Sequence, residues 1–399
     1  MERALDLSKT TGGRRALFAA LYFSEGAPIG FLWWALPATL REGGAPLEAI
    51  TGLTALLALP WAIKFLWAPL IDLTPAKRRW WIVGCQALMA LTLAPLLWLD
   101  LAGSIATLTP FLLAHAVAAS TQDAAIDAYA ISVAPEDERG RLSGAMQAGM
   151  LTGRWAFGAG LLLASGTVGR NTAIAAMIVL LGCVSALVLT ATSEPATGPR
   201  TRGGRGVVKA LHAALHGRTL ALGLVVALLG GAAFETVGAL AGPYLIDRGV
   251  SESGVGLFFT VTIVLMLTGA LVGGMAADRW GARRATSTFL IALALLVAFA
   301  AAADWRSEPL RVAAVAAVYL GVGLFTAASY ALFMNLTDTR LGGTQFSLFM
   351  GATNLCESGA AFAGGRLAAT AGYPVAFFAA AAASLPALLA LRALRPRSQ

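Results

Sequence analysis

The sequence predicts an all-α membrane protein with twelve transmembrane helices arranged as two six-helix halves. Three observations predict this class: 58% of the 399 residues are hydrophobic, 13% are charged, and long apolar runs recur along the whole chain. Soluble domains contain about a quarter charged residues, so a water-soluble core does not explain this composition. Because roughly 20 apolar residues are needed to cross a bilayer, each run is long enough for one spanning helix.

The apolar runs follow one another at short intervals. They extend over residues 16–40, 47–71, 80–100, 109–133, 141–165, 171–192, 219–246, 254–277, 284–303, 309–335, 343–368 and 373–393. The first run is longer than a signal-peptide core and contains Glu25, so we expect it to be retained as helix 1. The three cysteines lie inside these runs without C-x-x-C spacing, which predicts neither a disulfide framework nor a metal site. We expect no cofactor.

The distribution of the basic residues explains the net charge of +8 better than nucleic-acid binding does. With the N-terminus in the cytoplasm, most Lys and Arg residues fall on the cytoplasmic side of the predicted helices, as the positive-inside rule requires. Trp80 and Trp280, at predicted helix ends, agree with this orientation. We therefore expect a multi-pass protein that contacts the lipid bilayer, binds no nucleic acid and has both termini in the cytoplasm.

A long polar stretch divides the chain into halves of nearly equal length. Residues 193–218 contain the string GPRTRGGRG, which predicts a flexible basic cytoplasmic linker. The predicted domains are therefore an N-terminal six-helix bundle, residues 1–192, and a C-terminal six-helix bundle, residues 219–399.

Ionisable residues lie deep within the predicted spans. They are Glu25, Lys64, Asp123, Asp127, Arg154, Glu235 and Glu357. A charge that faces lipid costs roughly 2.5–3.5 kcal/mol or more, so we expect these side chains to face the bundle interior or a water-filled cavity. The acids outnumber the bases, and a carboxylate that gains and loses a proton couples a carrier to a proton gradient. Both proton coupling and a static network of ion pairs are open, and Glu25, Glu235 and Asp127 are the first candidates for the proton.

Asp123 and Asp127 are four residues apart, so they share one helix face with their Cβ atoms roughly 6 Å apart. Two such carboxylates resist double ionisation in a low dielectric unless a cation lies between them. Lys64 and Arg154 are the available cations.

Aromatic and amide side chains near these charges can complete a cavity for a ring-bearing or amide-rich solute. The candidates are Tyr22, Trp33, Trp61, Gln122, Tyr129 and Asn354. For each aromatic residue, packing between helices is the alternative.

Two loops repeat an Asp followed by basic residues. The first leads from Asp72 to Arg78 and Arg79, and the second reads D-R-W-G-A-R-R from Asp278. Both resemble the loop signature of the major facilitator superfamily, G-x-L-x-D-R-x-G-R-R. The resemblance implies a latch for one conformation, with each Asp at a helix N-terminus, where carboxylates are attracted. Its residues would be Asp72, Arg78, Arg79, Asp278, Arg279 and Arg283. The alternative is that these charges only set the topology.

Three strings in the first half are similar to the AmpG-like branch of that superfamily. They are L-Y-F-S-E-G-A-P-I-G at 21–30, L-P-W-A-I-K-F-L-W-A-P-L-I-D at 59–72 and T-Q-D-A-A-I-D-A-Y at 121–129. Members of the branch include muropeptide permeases, acetyl-CoA transporters and siderophore importers of the RhtX/FptX kind. The resemblance implies the major facilitator fold and inward, proton-driven movement of a bulky polar solute across the bacterial inner membrane. It also implies that Lys64, Asp123 and Asp127 form the functional core.

The resemblance favours one substrate class within the branch. Muropeptide permeases are often longer, and A-L-P-A-T-L-R at 35–41 resembles the siderophore-importer group. We therefore expect a monomeric secondary active transporter that imports a siderophore-type solute by alternating access. A muropeptide permease is the alternative, and an acyl-CoA carrier or a non-transporting assembly factor is a lesser one.

We do not expect an enzyme. The spacing of Asp123 and Asp127 is similar to that in membrane prenyltransferases, but a second Asp-rich helix is missing from the sequence. A G-x-G-D protease motif is missing as well.

Overall fold

The structure is a computed structural model, and every regular segment that it describes is helical. It describes residues 6–36, 40, 47–74, 77–99, 105–164, 168–193, 217–250, 252–303 and 307–394. The predicted class, an all-α membrane protein, is confirmed. Helices satisfy their backbone N–H and C=O groups internally, which is the condition for crossing lipid.

The helices follow the predicted spans and are numbered in chain order. They are α1 (Thr11–Gly30), α2 (Leu47–Ile63), α3 (Arg78–Leu93), α4 (Ile105–Val133), α5 (Arg139–Phe157), α6 (Arg170–Ala191), α7a (Arg218–Gly230), α7b (Ala232–Asp247), α8 (Glu252–Trp280), α9 (Ala282–Ala302), α10 (Glu308–Leu336), α11 (Gly342–Ala371), α12a (Tyr373–Ser384) and α12b (Pro386–Ala393).

Among the described residues, 8 segments are long and apolar enough to cross a membrane. They correspond to α1, α3, α6, α7, α8, α9, α10 and α12. The other predicted spans, α2, α4, α5 and α11, also form helices. These four predicted spans contain Lys64, in the turn that follows α2, together with the two aspartates of α4, Arg154 and Glu357. Polar residues of this kind lower the hydropathy of a span. The helices with the weakest apolar signal are therefore those with most of the predicted site.

Two helices lose regular α geometry close to predicted site residues. After Pro28, α1 continues into a five-residue π-helical segment, Phe31–Ala35. After Pro60, α2 gives way to a 3₁₀ turn, Lys64–Leu66. Proline has no N–H to donate within the helix, so a change of geometry beside it has a direct cause. The turn after α2 contains Lys64, so this lysine lies where the helix is interrupted.

The chain divides into two compact units. Each unit consists mainly of one half of the sequence and includes one short segment from the other half. Unit 1 comprises Met1–Ala134, Ala145–Val207 and Asp338–Ser347, and unit 2 comprises Pro135–Gly144, Val208–Thr337 and Leu348–Gln399. The first residues of α5 therefore belong to unit 2, and the first residues of α11 belong to unit 1. Residues 194–216, most of the predicted linker, lie outside the described residues.

Unit 1 contains a glycine seam between α1 and α5. A Cβ on Gly26 would collide with the backbone carbonyl of Met150, and one on Gly30 with that of Arg154. Glycines four residues apart lie on one helix face, where they let two backbones touch. The seam holds Arg154 against the part of α1 that contains Glu25.

Unit 2 contains a comparable seam between a different pair of helices, α8 and α10. A Cβ on Gly269 would collide with the carbonyl of Leu320, and one on Gly323 with that of Met266. The two units therefore use the same packing device in different places.

Candidate functional site

The predicted charged residues of unit 1 gather around α1, α4 and the 3₁₀ turn after α2. Tyr22 and Glu25 share one face of α1, and Asp123 and Asp127 share one face of α4. All of these side chains are buried, as is Lys64. Arg154 of α5 is half-buried and interacts electrostatically with Glu25. We call the set of Tyr22, Glu25, Lys64, Asp123, Asp127 and Arg154 the coupling cluster.

Lys64 pairs with one of the two aspartates. Its Nζ contacts Asp123 Oδ2 directly, and the two residues are 1% and 7% exposed. A buried pair of this kind offsets the desolvation of both charges, and removal of either partner leaves a buried charge unpaired. Asp123 therefore has its own counterion.

The second aspartate has a different partner. The Tyr22 hydroxyl donates a hydrogen bond to Asp127 Oδ1 at 2.5 Å. A bond from a hydroxyl to a carboxylate is among the stronger hydrogen bonds in proteins. The two carboxylates of α4, one turn apart, are thus held by a lysine and by a tyrosine from different helices.

Several polar atoms around the cluster are buried without a hydrogen-bond partner among the described residues. They are Glu25 Oε2, Asp127 Oδ2, Arg154 Nε and both amide atoms of Gln122. Buried polar groups are normally paired, so such atoms need an explanation. A site that binds a proton, water or a solute in part of its cycle supplies one, because these atoms are then available to it.

The charges of the cluster do not balance. Three carboxylates, those of Glu25, Asp123 and Asp127, face two cations, Lys64 and Arg154. An ionised carboxylate in a low dielectric without a counterion is strongly disfavoured. One proton makes the cluster neutral, so the arrangement can bind and release a single proton.

The aromatic candidates of unit 1 contact other protein groups in this structure. Trp33 and Trp61 pack edge to face with their ring centroids 5.5 Å apart, against the apolar core of the unit. The Tyr129 hydroxyl donates to the backbone carbonyl of Ser193 at 2.8 Å, and its ring packs on Phe18. These three side chains follow the packing alternative here, whereas Tyr22 and Gln122 are polar groups of the buried region.

The acids of unit 2 are less enclosed. Glu235 is half-buried on α7b, Asn354 is half-buried on α11, and Glu357 is exposed. Both acids interact electrostatically with the buried thiol of Cys356, so they belong to one region of the unit. Glu357 does not share the buried setting of the acids in unit 1.

In unit 1, Asp72 binds the N-terminus of α11. It accepts hydrogen bonds from the N–H groups of Gly343 at 2.9 Å and Thr344 at 2.7 Å, and from the Thr344 hydroxyl at 2.6 Å. Burial raises the pKa of the Asp72 carboxyl above its usual value, against the lowering effect of these donors. Arg78 Nη2 lies 3.8 Å from Asp72 Oδ1 and donates to the carbonyl of Thr339. The free N–H groups of a helix start thus meet a carboxylate.

In unit 2, Asp278 binds the N-terminus of α5 in the same way. It accepts from the N–H groups of Gly140 at 2.6 Å and Arg141 at 3.0 Å, and from Arg141 Nε at 2.5 Å. Arg141 was not among the predicted latch residues, although it ends the charged string E-D-E-R-G-R at 136–141, which was a signal for it.

Three other predicted latch residues lie elsewhere. Arg79 donates to the carbonyls of Val188 and Leu189 at the end of α6, both at 3.0 Å. Arg283 donates to the carbonyl of Leu394 at 2.7 Å. Arg279 is exposed. Of the predicted latch arginines, Arg78 lies within ion-pair distance of Asp72.

A buried polar network behind α1 was missed by sequence reasoning. Gln86 of α3 donates to the Ser24 hydroxyl at 3.2 Å and accepts from the Ser185 hydroxyl at 2.6 Å. It ties α1 to α3 and α6 next to Glu25. The signal was an amide in the middle of an apolar run, since such a group needs partners.

The N-terminal segment was missed too. Asp6 accepts from the hydroxyls of Ser193 at 2.5 Å and Ser8 at 2.6 Å. Although partial burial raises it, these bonds hold the pKa of the Asp6 carboxyl below its usual value. The residues before α1 are thus joined to the end of α6.

Comparisons with families and known sequences agree with this architecture. A family model described as Major Facilitator Superfamily matches residues 223–399, and one described as Acetyl-coenzyme A transporter 1 matches residues 15–107. The anhydromuropeptide permease of Escherichia coli K12 is 28% identical over 407 residues, which cover 96% of this chain and 80% of the permease. A putative transporter, AmpG 4, of Rickettsia conorii is 23% identical over 94% of both chains.

Solved structures show the same fold. The fucose:proton symporter FucP of Escherichia coli has a TM-score of 0.77 at 14% identity, covering 96% of this chain and 98% of its own. The proton:xylose symporter XylE has a TM-score of 0.73 at 13% identity, covering 96% of this chain and 94% of its own. At these identities the likeness concerns the fold alone. The predicted major facilitator fold is confirmed.

Proposed function

Because the chain belongs to the major facilitator superfamily, in its AmpG-like branch, we propose that it is a proton-coupled importer of anhydromuropeptide-type solutes. It acts in the bacterial inner membrane as a monomer with both termini in the cytoplasm, and it works by alternating access. That the chain is a multi-pass membrane transporter of a small molecule follows from its family. The observation that carries the finer proposal is the coupling cluster, with its single unbalanced acid.

The cluster supports proton coupling through its charge count. The pair formed by Lys64 and Asp123 is internally neutral, and Arg154 balances one of the two remaining acids. Glu25 and Asp127 therefore share one proton between them. Release of that proton leaves one excess negative charge in a buried site, so proton binding and solute binding influence each other.

The relatives support the substrate class. A protein named anhydromuropeptide permease matches almost the whole chain, whereas the siderophore-type substrate favoured from the sequence finds no support among the relatives. The string that favoured it, at 35–41, lies mostly outside the described residues. The muropeptide alternative is therefore the better interpretation.

An acyl-CoA carrier is the second candidate. The match of residues 15–107 to the acetyl-coenzyme A transporter model favours it, and this region includes Glu25 and Lys64. A carrier for either solute would use the same cluster, so transport assays must separate them.

Uptake by purified protein in proteoliposomes tests the proposal. We expect a labelled anhydromuropeptide to accumulate when the outside is acidic, and a protonophore to abolish the accumulation. Excess unlabelled anhydromuropeptide should compete, whereas a ferric siderophore and acetyl-CoA should not. Accumulation that ignores the pH gradient contradicts proton coupling, and accumulation of the siderophore or acetyl-CoA instead contradicts the substrate class.

A further inference from the structure

Tyr22 of α1 donates a hydrogen bond to Asp127, one of the two carboxylates of α4. It lies one turn before Glu25 on the same helix face. It is 2% exposed, and Asp127, which accepts its hydrogen bond, is 1% exposed. A polar hydroxyl at this depth, bonded to a carboxylate rather than to a nearby carbonyl, does more than fill space.

The three carboxylates of the cluster differ in what stabilises their ionised form. Asp123 has the Lys64 ammonium, and Asp127 has the Tyr22 hydroxyl. Glu25 Oε2 and Asp127 Oδ2 both have no hydrogen-bond partner among the described residues, so the Tyr22 hydroxyl on Asp127 Oδ1 is what distinguishes the two acids. The groups that act on Glu25 are Asp123 and Asp127 from α4, Lys64 from the turn after α2, and Arg154 from α5.

A donor to a carboxylate favours its ionised form, and two nearby carboxylates resist double ionisation. When one proton is shared, it therefore rests on the acid without a donor. We infer that Tyr22 is a positioning residue of the coupling site: its hydroxyl holds Asp127 ionised, so that Glu25 binds the transported proton. The inference rests on the proposed proton coupling and names the group that performs it.

The test compares Tyr22→Phe with a matched control. Tyr319→Phe in α10 makes the same chemical change at a buried tyrosine whose hydroxyl has no partner among the described residues. The measurement is the pH at which exchange of labelled anhydromuropeptide is half-maximal, in proteoliposomes with the same pH on both sides. Exchange needs no net proton movement, so variants with weakened coupling can still be measured.

Tyr22→Phe removes the donor from Asp127, so Asp127 competes for the proton and the cluster binds it more tightly. We expect the half-maximal pH to rise by about one unit, which is a tenfold change in proton affinity. Tyr319→Phe should leave it within about 0.2 units of the unmodified protein. A purely structural role for Tyr22 would lower the rate without moving this pH.

Asp127→Asn approaches the same contact from the other side. It removes a negative neighbour of Glu25, so the half-maximal pH should fall rather than rise. Adding Tyr22→Phe to Asp127→Asn should produce no further shift. If Tyr22→Phe leaves the pH unchanged, if both single variants shift it in one direction, or if the Tyr22→Phe shift persists beside Asp127→Asn, the inference is wrong.

Two results separate this inference from the proposed function. Exchange and accumulation that do not depend on pH in the unmodified protein overturn the proposed coupling itself. A clear pH dependence that Tyr22→Phe does not move overturns the role of Tyr22 alone. Thermal unfolding of Tyr22→Phe and Tyr319→Phe in detergent checks that both variants fold. If Tyr22→Phe does not fold, Asp127→Asn still tests where the proton binds: a lower half-maximal pH agrees with Glu25, and loss of the pH dependence overturns the inference.

Discussion

The two units of this transporter each contain a long helix of the same length but differ in where their charges lie. α4 of unit 1 and α10 of unit 2 both have 29 residues. Where α4 has Asp123 and Asp127, α10 has Thr326 and Tyr330 at the same distances from its start. A repeated scaffold is thus filled with ionisable groups in one unit and with neutral polar groups in the other.

The fifth helix of each half shows the same divergence. Arg154 lies as far from the start of α5 as Glu357 lies from the start of α11, and the two have opposite charges. The contacts of Asp72 and Asp278 with helix starts are nevertheless nearly identical. The repeat therefore conserves the contacts that organise helix ends, while the interior chemistry belongs mainly to unit 1.

The largest effect expected is the loss of the buried ion pair. Lys64→Ala leaves the Asp123 charge buried and unpaired, which should destabilise the protein by about 3–5 kcal/mol and abolish uptake. Thermal unfolding in detergent and proteoliposome uptake measure both. Lys77→Ala, at an exposed lysine of the same unit, should change neither the stability nor the uptake. Equal behaviour of the two variants would show that the pair does not stabilise unit 1.

The second effect separates the acids of the two first helices, Glu25 in α1 and Glu235 in α7b. Glu25→Gln should reduce accumulation driven by the pH gradient about 5- to 150-fold, the usual range of a coupling free energy, while exchange continues. Glu235→Gln should retain most of the accumulation, because its carboxylate is half-buried and belongs to another region. The reverse result would move proton coupling to unit 2.

The third effect tests the glycine seams. Gly26→Ala and Gly323→Ala each place a methyl group against a backbone carbonyl, so both should destabilise the protein by about 1–3 kcal/mol. Gly26→Ala should also impair uptake, because the seam of unit 1 positions Arg154 beside Glu25. Gly84→Ala and Gly238→Ala, where a Cβ meets nothing within 4 Å, are the controls. Equal loss of uptake in both seam variants would contradict the assignment of the chemistry to unit 1.

The smallest effect concerns the two latch aspartates. Asp72→Asn and Asp278→Asn each weaken the bond to a helix N-terminus, by about 0.5–2 kcal/mol. Asp72 should lie at the upper end, because it is 6% exposed and bonds a hydroxyl as well as two N–H groups. Unfolding midpoints in detergent measure the difference. A larger loss for Asp278→Asn would mean that Arg141 contributes more than burial does.

The amino-acid sequence by itself determined the membrane class, the helices and the enclosed setting of the unit 1 charges. The reason is that lipid excludes charges and unpaired backbone groups. An apolar run of spanning length therefore forms a helix, and a charged side chain within it must face the protein interior or a water-filled cavity. The pairing of the charges needed the tertiary structure. Sequence spacing brought Asp123 and Asp127 to one face but could not say that Lys64 selects the first and Tyr22 the second.

Tertiary contacts also decided which of the predicted polar and aromatic residues are available to line a cavity. Trp33 and Trp61 pack against each other, Tyr129 turns to Ser193, and Glu357 is exposed. The same residue types in the same apolar runs serve packing or polar roles according to which helix lies opposite. Helix periodicity predicts the helix face on which a side chain lies, but the partner of that side chain comes from another helix. The position of that second helix depends on contacts between residues far apart in the sequence, such as those of the glycine seams.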